Sequence, residues 1–121
     1  MTPRHILCID DSETCNLYDL LFTEIDKRFR VTSVSDAQEA IDLVKSKRFD
    51  LYILEPFRPD FNGIEFCKLI RQIDAKKPVV FYSGMSREVD RSKALAAGAS
   101  DYFVKASDMD KFIDKVREYL N

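Results

Sequence analysis

The chain is poor in the side chains that build most metal and redox sites: its 121 residues include one histidine and three cysteines. Cys8, Cys15 and Cys67 are odd in number, scattered and without metal-ligand spacing. That favours a reduced, cytoplasmic setting over a disulfide framework. No apolar run approaches the ~18 residues that a membrane span needs. The opening "MTPRHILCIDD" turns acidic too soon to hold a signal-peptide core. Charge bias is also lacking: a formal net charge of −2 gives no general pull toward nucleic acid or anionic membrane. Low-complexity segments, internal repeats and linkers are absent from the sequence, so the length is read as one domain over 1–121.

What the chain does contain is an alternation of short apolar runs with helical periodicities. "HILCI" (5–9) precedes Leu17, Leu20, Leu21 and Ile25 at helical spacing. "FRVTSV" (29–34) precedes Ala37, Ala40, Ile41 and Val44, with Ser35 and Gln38 placed as a capping box. "DLYIL" (50–54) precedes a helix over 64–73 with Phe66, Leu69, Ile70 and Ile73 on one side. "PVVFY" (78–82) leads to a helix from about Ser86 to Ala97, ended by Gly98 as a left-handed cap. "DYFV" (101–104) leads to a last helix marked by Met109, Phe112, Ile113, Val116 and Leu120, with Ser107 as its cap.

Five such units, with strands apolar throughout, imply an α/β fold whose parallel sheet is covered on both faces. Right-handed crossovers and five strands give the doubly wound, flavodoxin-like order 2-1-3-4-5. Ligand chemistry in such sheets gathers at the carboxyl ends of the strands, near the switch point between strands 1 and 3. Strand 1 ends in Asp10 and Asp11, strand 3 in Glu55, strand 4 in Ser83 and Gly84, and strand 5 in Lys105.

Singly, each has a structural explanation: Asp11 or Ser12 can cap the first helix, Ser83 and Gly84 can make a turn, and Lys105 can sit on the surface. Jointly they place three carboxylates, a hydroxyl and an ammonium on one edge. Clustered carboxylates repel unless a cation relieves them. Mg²⁺ fits an oxygen-only set, and Lys105 is a second, protein-borne counter-charge. With Ser83 and the Gly84 amide, such a site can hold a phosphoryl-sized anion.

At these residues the chain resembles the receiver domain of two-component response regulators, over essentially its whole length. "IDD" (9–11) resembles the acidic pair that holds Mg²⁺. "DLYILEPFRPDFNG" (50–63) resembles the third-strand motif that carries the phospho-acceptor, then a proline and a glycine, here Pro59 and Gly63. "FYSG" (81–84) resembles the strand with the Ser/Thr switch residue, and "AGASDYFVKA" (97–106) the segment with the switch aromatic, Tyr102, and the lysine, Lys105. The resemblance implies Mg²⁺ on Asp10, Asp11 and the acceptor position, with the Phe57 backbone carbonyl as a further ligand. It also implies a histidine kinase partner and an output face formed by helix 4, strand 5 and helix 5, as a monomer or weak homodimer. No nucleic-acid or membrane partner is expected.

The chain departs from that family pattern at two positions. Glu55 stands where the acceptor is aspartate, and its extra methylene pushes the carboxylate into the pocket; a misplacement of about 1 Å can cost roughly 10²-fold in rate. Ala106 follows Lys105 where the family usually has proline, so a trans bond or local strain is expected, a non-proline cis bond costing about 2.5–4 kcal/mol. Pro56, beside Glu55, also removes an amide donor from the site.

Three readings follow. The first is a pseudo-receiver: an interaction module, not an enzyme and with no catalytic residue, in which Glu55 replaces the acceptor. The second is a receiver that still binds Mg²⁺ and takes phosphoryl weakly, or a scaffold drifted out of use. The third is a Mg²⁺-dependent phosphotransfer enzyme, although no Walker loop, D-x-D after strand 1 or cap domain is present. His5, at the start of strand 1 and so at the far edge, is read as structural. The mixed charges of helix 4 (Arg87, Glu88, Asp90, Arg91, Lys93) and helix 5 (Asp114, Lys115, Arg117, Glu118) are read as a solvated face.

Overall fold

Why the strands lie inside a sheet follows from their two-sided apolar character. The computed structural model describes residues 2–34, 36–58 and 61–121, the side chain of Phe57 excepted. In chain order the elements are β1 (Arg4–Ile9), α1 (Ser12–Ile25), β2 (Phe29–Val34), α2 (Ala37–Ser46), β3 (Leu51–Leu54), β4 (Phe57–Arg58), β5 (Phe61–Asn62), α3 (Gly63–Ile73), β6 (Val79–Ser83), α4 (Glu88–Ala96), β7 (Asp101–Val104) and α5 (Met109–Leu120). The five long strands pair in parallel in the order β2-β1-β3-β6-β7. This is the 2-1-3-4-5 order expected from the sequence. β4 and β5 form a short antiparallel hairpin in a segment read from sequence as a plain loop.

Alternate residues of each strand enter different cores. Leu7 and Ile9 pack with Val44, Leu54, Phe66, Ile70 and Phe81 under α2, α3 and α4. Ile6 and Cys8 pack with Cys15, Phe22, Ile53, Val80 and Phe112 under α1 and α5. Both faces are therefore buried, and each large apolar side chain so buried contributes about 1.5–3 kcal/mol. Tyr82 and Phe112 stack with centroids 4.1 Å apart.

Helix ends correct two details. Ser35, and with it the expected capping box, lies outside the described residues; the Asp36 carboxylate accepts the Gln38 and Glu39 N–H groups, and the Gln38 side chain turns to Asp42. α5 starts after Asp108, not Ser107, because the Asp108 carboxylate reaches back to the Val104 N–H at 2.9 Å. α4 starts at Glu88, two residues later than expected from Ser86, with no side-chain cap. Gly98 does take a positive φ, 108°, as the end of α4 requires.

Gly63 positions the site. A Cβ there would lie 2.6 Å from Pro56 Cα and 2.8 Å from the Glu55 carbonyl oxygen. Only glycine lets α3 begin so close beneath the end of β3.

Candidate functional site

The strand ladders place the polar groups. The Glu55 N–H donates to the Ile9 carbonyl at 3.2 Å, so the β1–β3 pairing runs one residue past β3 and brings Glu55 beside Asp10. The Lys105 N–H donates to the Ser83 carbonyl at 2.7 Å and does the same between β6 and β7.

At this edge Lys105 Nζ lies 2.9 Å from Asp10 Oδ2 and 3.2 Å from Glu55 Oε2. The Ser83 hydroxyl donates to Glu55 Oε1 at 3.1 Å. Asp10 Oδ1 accepts the Asp11 N–H at 2.7 Å. Asp10, Glu55 and Ser83 are buried, at 4%, 9% and 0% exposure, so these contacts are shielded from water and correspondingly strong. A cavity of about 540 Å³ opens over them, lined by Asp10, Asp11, Glu55, Arg58, Ser83, Gly84, Met85 and Lys105.

Burial pushes the Asp10 carboxyl above its ordinary value, and the Lys105 ammonium only partly offsets this. Burial also works against the Lys105 ammonium, but its hydrogen bond to Asp10 and the charges of Asp10 and Glu55 outweigh that and hold it above its ordinary value. The two shifts share one cause in different proportions: Asp10 is the more buried partner, so desolvation wins there.

Residues 6–117 match the response regulator receiver domain family. The chain belongs to that family. It is 32% identical over 117 residues to the response regulator ArlR of Staphylococcus epidermidis, covering 96% of this chain and 52% of that protein. It thus spans about half the length of the curated relatives it matches. A two-component response regulator from Clostridium difficile superposes with a TM-score of 0.82 at 27% identity, over 97% of this chain and 95% of that one. The chemotaxis protein CheY4 of Vibrio cholerae shares the fold, with a TM-score of 0.86 at 19% identity, over 98% and 100% of the two chains.

Within this receiver domain the three acids read from sequence line one cavity, but Asp11 is held differently from Asp10 and Glu55. Asp11 is exposed and caps α1: its Oδ1 accepts the Thr14 N–H at 2.8 Å and its Oδ2 the Thr14 hydroxyl at 2.9 Å. These bonds, the N–H first, hold its carboxyl below the ordinary value. As arranged here, no group of three His, Cys, Asp or Glu side chains among the described residues could hold a metal ion. In the arrangement seen here Lys105 takes the space between Asp10 and Glu55, and Thr14 engages Asp11. Asp10, Asp11 and Glu55 line one cavity and are the carboxylates that would hold Mg²⁺ there.

Ser83 and Tyr102 meet at one backbone unit. The Met85 N–H donates to Ser83 Oγ at 3.1 Å, and the Tyr102 hydroxyl donates to the Met85 carbonyl at 2.7 Å. The Tyr102 ring is turned inward, 3% exposed, and burial raises its phenol above its ordinary value. Gly84 has open space around its Cα, with nothing within 4 Å of an added Cβ. Pro59 lies outside the described residues.

Other readings change too. Asp90, assigned to a solvated face, is 1% exposed and held by Arg87 at 2.9 and 3.1 Å. Arg91 donates to the Tyr102 carbonyl at 3.0 Å. No peptide bond among the described residues is cis, and Ala106 takes a φ of 70°, the strained alternative foreseen for this position. Arg58 was missed; its only signal was its place three residues after Glu55. His5, the second residue of β1, lies at the opposite end of the sheet, where its N–H donates to Asp50. No helix among the described residues is long and apolar enough to cross a membrane.

Proposed function

We propose that this receiver domain is a non-phosphorylated interaction module, with Glu55 at the acceptor position and Lys105 as the resident cation. One observation carries the reading: Ser83 and Lys105, the groups suited to grip an incoming phosphoryl oxygen, already bind the two oxygens of Glu55. The extra methylene carries the carboxylate to where such oxygens would sit. Glutamate has one negative charge where a phosphoryl group has nearly two, so Glu55 holds the Ser83–Met85–Tyr102 chain in a fixed, partly switched state. Lys105 supplies the positive charge between Asp10 and Glu55 that a divalent ion would otherwise provide.

On this reading the domain is not an enzyme and acts in the cytoplasm. It binds a histidine kinase or another signalling protein through the α4–β7–α5 face, as a monomer or weak homodimer.

The test is NMR of the labelled protein with beryllofluoride and Mg²⁺, which together mimic a phosphoryl group on a carboxylate. The amide signals of Ser83, Met85 and Tyr102 are expected to stay in place. A saturable shift of all three would favour the second reading, a receiver that still takes phosphoryl.

A further inference from the structure

Beneath the acidic loop lies a side-chain pair that the receiver reading leaves unused. Cys8, near the end of β1, and Cys15, in the first turns of α1, point into the same core, and their sulfurs are 2.8 Å apart. That is inside van der Waals contact for two sulfurs and within a small side-chain rotation of the ~2.05 Å of a bond. The Cys15 thiol also faces the Cys8 carbonyl at 3.5 Å. Both cysteines are fully buried, yet no covalent bond joins them. The segment they bracket carries Asp10 and Asp11.

We propose that Cys8 and Cys15 are a redox-responsive dithiol that a hydroperoxide closes to an intramolecular disulfide, clamping the loop that carries Asp10 and Asp11. The chemistry balances. One thiolate attacks the peroxide O–O bond, giving a sulfenic acid and releasing water or an alcohol. The other sulfur then displaces the hydroxyl as water, forming the S–S bond. Two thiol hydrogens leave with the two oxygens, and the peroxide is reduced. Access comes through the first turn of α1, whose residues Ser12 and Glu13 are exposed, since helix ends fray at low cost. The intermediate is short-lived because the resolving sulfur is already in contact.

Cys67 is the internal control. It is equally buried, but its sulfur faces the Ala97 carbonyl at 3.5 Å and no second thiol. The inference does not depend on whether Glu55 accepts phosphoryl.

The experiment treats the reduced protein with hydrogen peroxide, removes the oxidant, denatures, and titrates with N-ethylmaleimide before intact mass analysis. The proposal expects the loss of two hydrogens and one maleimide per chain, on Cys67, against three maleimides for the untreated protein. Cys15→Ser is expected to abolish the mass loss, and dithiothreitol to reverse it. Three maleimides after oxidation, stable oxygen adducts on sulfur, or a disulfide-linked dimer in place of the internal bridge would each overturn it.

Discussion

Lys105 Nζ lies 3.2 Å from Glu55 Oε2 while its other carboxylate contact, Asp10 Oδ2, is 2.9 Å away. One ammonium therefore serves two buried carboxylates. Lys105→Met leaves them facing each other and is expected to cost about 2 kcal/mol, less than for a fully buried pair because the Lys105 side chain is 30% exposed. Adding Glu55→Gln to that variant is expected to recover about half of the loss by removing one of the repelling charges. Urea denaturation of the four proteins of the cycle measures both.

The same pair sets a pH dependence. The Lys105 ammonium is held above its ordinary value of 10.5, so its stabilisation is complete below that value and is lost as pH rises through the higher folded one. Asp10 acts in the same sense in acid. Its carboxyl is raised from 3.8, so folding becomes less favourable as pH climbs from there through the raised value. Melting temperatures across both ranges should show an alkaline step that is absent in Lys105→Met and an acid step that is absent in Asp10→Asn.

Gly63→Ala should cost about 1–3 kcal/mol, because the new Cβ meets backbone rather than a movable side chain. Gly84→Ala, with nothing within 4 Å, should change stability by less than about 0.5 kcal/mol. Chemical denaturation of the two variants checks the contrast.

Ala106, at a φ of 70°, should welcome glycine: Ala106→Gly is expected to raise stability by up to about 1 kcal/mol. Ala106→Pro should lower it by about 2 kcal/mol or more, since proline cannot take that φ and would lose the N–H that donates to the Tyr82 hydroxyl at 3.2 Å. The proline usual in the family thus requires a different local backbone from the one found here.

The sheet was legible because each strand is apolar on both faces, and period-2 burial into two cores leaves a continuous run such as "HILCI". The edge cluster was legible through topology, which brings Asp10, Glu55, Ser83 and Lys105 together from four strands. Where a residue could serve either its own helix or the site, sequence could not decide. Asp11 caps α1, and only the Thr14 contacts reveal it. The β4–β5 hairpin was invisible because two-residue strands carry no periodicity. The contact between Cys8 and Cys15 hid behind an odd cysteine count. The available signal was parity: Cys8 shares the face of Ile6, and Cys15 shares the stripe of Tyr18 and Phe22.

The most direct measurement is intact mass after incubation with acetyl phosphate and Mg²⁺, for wild type beside Glu55→Asp. Glu55 already holds Ser83 and Lys105, so wild type is predicted to gain no phosphoryl mass. Shortening the side chain withdraws the carboxylate from both groups and is predicted to let a phosphoryl adduct appear. A stoichiometric adduct on wild-type Glu55 would contradict the account.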